Sequence, residues 1–328
     1  MIGGLRRCRI AWIVAILLTA AAGCASTADV TAEEMKAVVE RDGVAFDPSA
    51  FPDGVVDRLA EQRVVLLGET HHLREHWAFV ATLMAELHAD GFHQLLIEAP
   101  HMAGWLIDDY VQGGPLAPEW DPPPFYERRL SAIRAFNENL EPGERVHVRG
   151  IDANEEWYGG AGDFRLLVGW LVDSLPSPGA VELLLEADYQ AASEADQADA
   201  IGALLGSLVA DRSVLTQSWG APQYDLVVEM VEVELASIDV RAKDGDDGSR
   251  AREDVIKDLA EQTIGQCACG TVIDIGGHHA QKSHLMGTEQ ATTSLTQARW
   301  STDPSSSSTS CRPRPRWSPV PEELHGTS

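Results

Sequence analysis

The sequence predicts an α/β protein, a mainly parallel β-sheet core flanked by helices with an inserted helical cap region. Short aliphatic and β-branched runs, Val64–Leu67, Leu95–Ile97 and Val272–Ile275, are bounded by glycine or proline and read as strands buried on both faces. Stretches with apolar residues at helical spacing separate them, as in βαβ units. The strands also end alike, each in a carboxylate or an imidazole. In an open α/β sheet, side chains just past the carboxyl ends of the strands line the ligand crevice.

The 328 residues open on a segment that stands outside the fold. Arg6, Arg7 and Arg9 precede an apolar run, Ile10 to Ala22, which ends at Ala21-Ala22-Gly23-Cys24. This is the layout of a secretory signal, and the run is too short to span a bilayer. The small residues before Cys24 resemble a lipobox, which would make Cys24 the lipidated first residue of a mature bacterial lipoprotein, periplasmic or cell-surface, held at a membrane by acyl chains. Residues 1–23 are therefore read as a signal peptide and 24–55 as a tether, with one short helix from Ala32 to Arg41.

Residues 56–290 form the predicted domain. Strand 64–68 leads to a helix from Arg74 to about Asp90, with Trp77, Val80, Leu83, Met84 and Leu87 on one stripe and Gly91 past its end. A second strand, 94–100, ends in Glu98-Ala99-Pro100. Helices follow at 102–112 and about 125–140, with a proline-rich loop between them. A third strand alternates from Arg145 to Asp152. From about 163 to 245 the pattern is helical and acidic, the inserted cap. Asp244–Gly248 has part of a calcium-loop pattern with the wrong spacing and reads as a solvated turn. Ala251 to Ile264 is an amphipathic helix leading into the fourth strand, Thr271 to Gly276, which ends at Gly277-His278-His279. Beyond 290 a Ser/Thr run and Arg312-Pro313-Arg314-Pro315-Arg316 mark a disordered, low-complexity tail, 291–328.

The formal charge is −26, and −30 over residues 24–290 against +1 over 291–328. So acidic a body argues against nucleic acid and anionic lipid as partners and leaves a small molecule as the expected ligand. Cys267 and Cys269 are close in sequence and are expected to stay unbridged where the chain enters the fourth strand.

Four strand ends then supply candidate chemistry: Glu69, His71 and His72; Glu98; Asp152; His278 and His279. Six of eleven histidines fall in two groups, His71, His72, His76 and His278, His279, His284. A histidine at such an edge, oriented by a glutamate, serves as a general base toward water. The same groups bind a divalent metal through imidazole nitrogens and carboxylate oxygens, with Glu69, His71, His72, Glu98 and His278 as candidates. No Gly-x-Ser-x-Gly elbow is present, which disfavours a serine nucleophile.

These residues resemble a superfamily containing erythromycin esterase-like proteins, ChaN-like haem-binding uptake lipoproteins and the TraB/Tiki proteins, over roughly residues 60–290. Gly68-Glu69-x-x-His72 resembles the first branch, where the histidine is the general base for ester or lactone hydrolysis. Glu98 resembles its second acidic strand end, Gly150-Ile151-Asp152 its Gly-Phe-Asp, and Arg252 an arginine before its last strand. Gly277-His278-His279-Ala280 stands where that branch has His-Asn-x-His. The resemblance thus implies Glu69, His72, Glu98, Arg252 and His278 or His279 as catalytic residues, with no cofactor required. In another register, Gly68-Glu69-x-His71 followed by His76 resembles the ChaN-like pattern and implies haem held by His71 and His76, with Trp77, Trp105, Trp120 and Trp157 as stacking surfaces. Gly-x-x-His through His71 also resembles the first motif of the Tiki metal-dependent peptidases. Hydrolase, haem-binding lipoprotein and metallopeptidase remain the alternatives.

Overall fold

A computed structural model describes residues 32–42, 51–52, 54–69, 71, 73–116, 124–155, 164, 193–277 and 279–280. The expected signal segment with Cys24, the expected tail, and Trp120, Trp157, His72, His278 and His284 lie outside the described residues. The chain divides into two compact units at Phe46/Asp47. In the first, α1 (Ala32–Asp42) carries an exposed Lys36–Glu40 pair one turn apart.

The second unit holds the sheet. Its elements run α2 (Val55–Ala60), β1 (Val64–Glu69), α3 (Arg74–His88), β2 (Phe92–Pro100), α4 (His101–Val111), α5 (Pro124–Asn137) and β3 (His147–Asp152). They continue with α6 (Glu194–Ala210), α7 (Arg212–Trp219), α8 (Ala221–Arg241), α9 (Gly245–Gly265) and β4 (Gly270–Gly276). The four strands are parallel in the order β1-β4-β2-β3. β4, the last of the described strands, thus enters the middle of the sheet, between β1 and β2, and the parallel α/β core expected from the sequence is present.

Side-chain alternation sorts the strands onto two covered faces. Val65, Leu95, Ile97, Val148 and Val272 pack with α3, α4 and α5, including the buried stripe Trp77, Val80, Leu83, Met84 and Leu87. Leu96, Ile151, Ile273 and Ile275 pack with Ile256, Leu259, Ala260 and Ile264 of α9. A third cluster joins α6, α7 and α8 to Met102 and Trp105 of α4. Helix α4 lies almost against β3, since a Cβ on Gly104 would come 1.9 Å from the Gly150 nitrogen. Among the described residues, no helix is long and apolar enough to cross a membrane.

Three expectations are corrected. Cys267 and Cys269 form a disulfide, with Cα atoms 5.2 Å apart, inside the usual range for a bridge despite the short separation. Residues 245–248 are the first turn of α9 rather than a separate turn, and Asp246 and Asp247 lie near its positive N-terminus. Trp77 and Trp105 are buried in core clusters, so neither is an open stacking surface.

Candidate active site

The carboxyl ends of β1, β4 and β2 are adjacent, and their polar residues meet there. β1 closes with Glu69, and the chain turns immediately, because the Gly277 nitrogen donates to the Glu69 carbonyl at 2.8 Å. The turn presents His71, whose side chain is 55% exposed. Its Nδ1 lies 2.5 Å from Glu69 Oε1. An ionised carboxylate only accepts, so the proton belongs on Nδ1 and Nε2 is left as the basic nitrogen. That Nε2 faces inward along the rim, 3.9 Å from Glu98 Oε2. Gly276 makes the approach possible: a Cβ there would stand 2.8 Å from Glu98 Oε2 and 3.0 Å from His71 Nε2.

Glu98, near the end of β2, is the hub. Oε2 accepts from the Gly276 nitrogen at 2.7 Å, and Oε1 accepts from Arg252 Nη2 at 2.9 Å. His279 Nε2 lies 3.2 Å from the same Oε1. Burial alone would raise the Glu98 pKa. The hydrogen bond and charge of His279, the Gly276 amide and Arg252 outweigh it and hold the carboxyl at about 2. His279 has carboxylates at both ring nitrogens, Glu98 at Nε2 and Glu253 of α9 at Nδ1. Burial pushes its pKa down, but the two carboxylates prevail and raise it to about 9, so at neutral pH it is an imidazolium. Arg252 also forks onto Asp152 at the end of β3, with Nε 2.9 Å from Oδ1 and Nη2 against Oδ2. This clamp opposes the desolvation of the guanidinium and holds its pKa above the ordinary value.

Behind the His71–Glu69 pair lies a second layer. Trp77 Nε1 donates to Glu69 Oε2 at 3.3 Å. His76 Nε2 lies 2.7 Å from Asp274 Oδ1 and 4.0 Å from Glu69 Oε2. Arg129 of α5 donates to Asp274 Oδ2 at 2.6 Å.

Of the residues singled out in the sequence, the structure thus brings together Glu69, His71, His76, Glu98, Asp152, Arg252 and His279. Sequence reasoning misses Asp274, Arg129 and Glu253. Asp274 carries a visible signal, a lone acid inside the apolar run Val272-Ile273-Asp274-Ile275, where a buried charge needs partners. Arg129 and Glu253 carry none, since they look like ordinary surface charges of amphipathic helices.

No protein-family model matches the chain, and no curated protein matches it. Three solved structures share its fold at low identity. A Bacillus cereus protein is 15% identical, with a TM-score of 0.59, covering 76% of this chain and 66% of its own. An erythromycin esterase mutant in its open conformation is 16% identical, with a TM-score of 0.54, covering 74% and 68%. A succinoglycan biosynthesis protein is 13% identical, with a TM-score of 0.52, covering 71% and 62%. The chain therefore has an erythromycin esterase-like fold, and it spans about two thirds of the length of each of these neighbours.

Proposed function

We propose that the chain is an exported hydrolase, tethered to a membrane through a lipidated Cys24, that activates water against an ester, lactone or amide carbonyl. The observation that carries this reading is the His71–Glu69 pair, with Nδ1 bound to the carboxylate and Nε2 facing the cleft beside Glu98. In the first step His71 Nε2 takes a proton from water as the water oxygen bonds to the carbonyl carbon, whose π electrons move to oxygen. Glu69 keeps the ring in the required tautomer, and the anionic Glu98 favours the imidazolium that forms. Arg252 and the His279 imidazolium, both paired with Glu98, supply positive charge at the same edge for the developing oxyanion. Collapse of the tetrahedral intermediate expels the alkoxide or amine, which recovers a proton from His71 Nε2–H. The fold shared with an erythromycin esterase agrees with this chemistry, and the substrate it names is one candidate lactone.

The experiment is turnover of a panel of esters, lactones and amides by the purified mature domain. His71→Ala is expected to lower kcat/KM by about 10²–10⁴. Loss of turnover in His72→Ala with His71→Ala fully active would overturn the assignment of the base. Membrane fractionation of the Cys24→Ser variant tests the tether, with release into the soluble fraction as the expected result.

A further inference from the structure

Behind the proposed base, three elements place one ligand atom each around a common point. β1 brings Glu69, α3 brings His76 and β4 brings Asp274, and one donor atom of each lies within 4.8 Å of the other two. Ligands about 2.1 Å from a single first-row ion stand roughly 3.0–3.4 Å apart in octahedral or tetrahedral geometry. The observed 2.7 Å between His76 and Asp274 and 4.0 Å between His76 and Glu69 straddle that range.

Two further features favour a cation here. Asp274 is fully buried, and Arg129 holds its Oδ2, which fixes the carboxylate and turns Oδ1 toward His76. Such an outer partner is what an ordered ligand carboxylate carries. Charge is the second feature. Glu69, Glu98, Asp152, Glu253 and Asp274 are five carboxylates, against Arg129, Arg252 and the His279 imidazolium. Carboxylates outnumber cationic side chains among these named groups, a balance that favours a bound cation.

We propose that Glu69, His76 and Asp274 bind a divalent first-row ion of the zinc or manganese class. This site goes beyond the hydrolysis reading and stands without it, although the two share Glu69. An ion on Glu69 Oε2 leaves Oε1 to His71, so binding would stiffen the carboxylate that orients the base.

The test is elemental analysis and titration of untagged mature protein with zinc chloride and, separately, manganese chloride, together with thermal unfolding. About one equivalent should bind per chain, and Tm should rise by about 5 °C at hundred-fold excess over Kd. His76→Gln should weaken binding at least about ten-fold and abolish the rise in Tm, while His88→Ala, remote from the site, should change neither. Asp274→Asn should act like His76→Gln; because it also breaks the Arg129 pair, His76→Gln is the deciding variant. No binding of either ion to the wild type overturns the proposal. So does unchanged binding in His76→Gln, which would mark an adventitious ion only, for instance on the exposed His71. A wild type that hydrolyses the panel but binds neither ion sinks the metal site and spares the hydrolase. A bound ion without hydrolysis of any panel substrate does the reverse.

Discussion

Two of the acid–arginine–histidine clusters on this sheet, one around Asp108 and one around Glu98, differ in a way that separates structure from chemistry. At the amino end of β3, Asp108 of α4 accepts from the Val148 nitrogen at 2.8 Å, lies 3.1 Å from His147 Nδ1 and pairs with Arg149. All three side chains are at most 8% exposed. Burial works to raise the Asp108 pKa, but Arg149 and His147 overcome it and keep the carboxyl far below the usual range. At the opposite edge, Glu98 is held as firmly, yet His71 is 55% and Arg252 35% exposed. The same residue types serve both clusters. One is closed and ties α4 to β3; the other leaves an imidazole and a guanidinium partly exposed at the carboxyl edge of the sheet, where open α/β sheets bind ligands. Perturbed carboxylates alone therefore do not mark a site.

The largest test of that distinction removes the acid from each cluster. Asp108→Ala leaves a buried guanidinium without its partner and should destabilise the fold by about 3–5 kcal/mol, lowering Tm by about 10 °C. Glu98→Gln keeps the shape and retains acceptor capacity at the edge. It should shift Tm much less while reducing kcat/KM by about 10² or more. Thermal unfolding beside turnover reads both, and the contrast collapses if Asp108→Ala melts like wild type or Glu98→Gln fails to fold.

A smaller effect distinguishes the clusters by pH. His279 is raised from 6.5 to about 9 by Glu253 and Glu98, so its stabilising contribution is complete below pH 6.5 and disappears as pH climbs through 9. Glu98, lowered from 4.5 to about 2, contributes fully above pH 4.5 and loses its contribution as pH falls through 2. With Arg252 charged throughout, the edge should be most stabilising between about pH 4.5 and 6.5. Asp108 is shifted downward and can add only to the acid limb. The alkaline decline, on the order of 2–3 kcal/mol, should therefore vanish in His279→Ala and persist in His147→Ala, as followed by Tm from pH 5 to 10.

The open edge is largely legible in the amino-acid sequence. The three strand endings at Glu69, Glu98 and Asp152 announce themselves because an aliphatic run that stops at a carboxylate is a local pattern, and a parallel sheet gathers such endings at one edge. Strand order is not local. Only when β4 inserts between β1 and β2 does Asp274 come under His76 and Arg129, and only then does His279 reach Glu98. The proposal of His71 as base likewise draws on the turn after Glu69, which sets His71 against that carboxylate, because spacing alone fits both His71 and His72. The Cys267–Cys269 bridge escapes a reading of spacing, since sequence separation is a poor guide to Cα distance in a bend.

The finest test uses two glycines where a methyl group meets each region. A Cβ on Gly104 would collide with the Gly150 backbone at 1.9 Å, and neither α4 nor β3 can yield, so Gly104→Ala should act on stability. A Cβ on Gly276 meets instead the end of Glu98, at 2.8 Å, and the His71 ring, at 3.0 Å. Glu98 is fixed by the Gly276 amide, Arg252 and His279, so the exposed His71 ring is the group that moves. Displacing a base by roughly 1 Å costs up to about 10² in rate, and Gly276→Ala should lower kcat/KM by about 10–100-fold with little change in Tm. Full activity in that variant would mean that the place beside Glu98 is not where His71 works, and the exposed edge would lose the feature that sets it apart from the buried one.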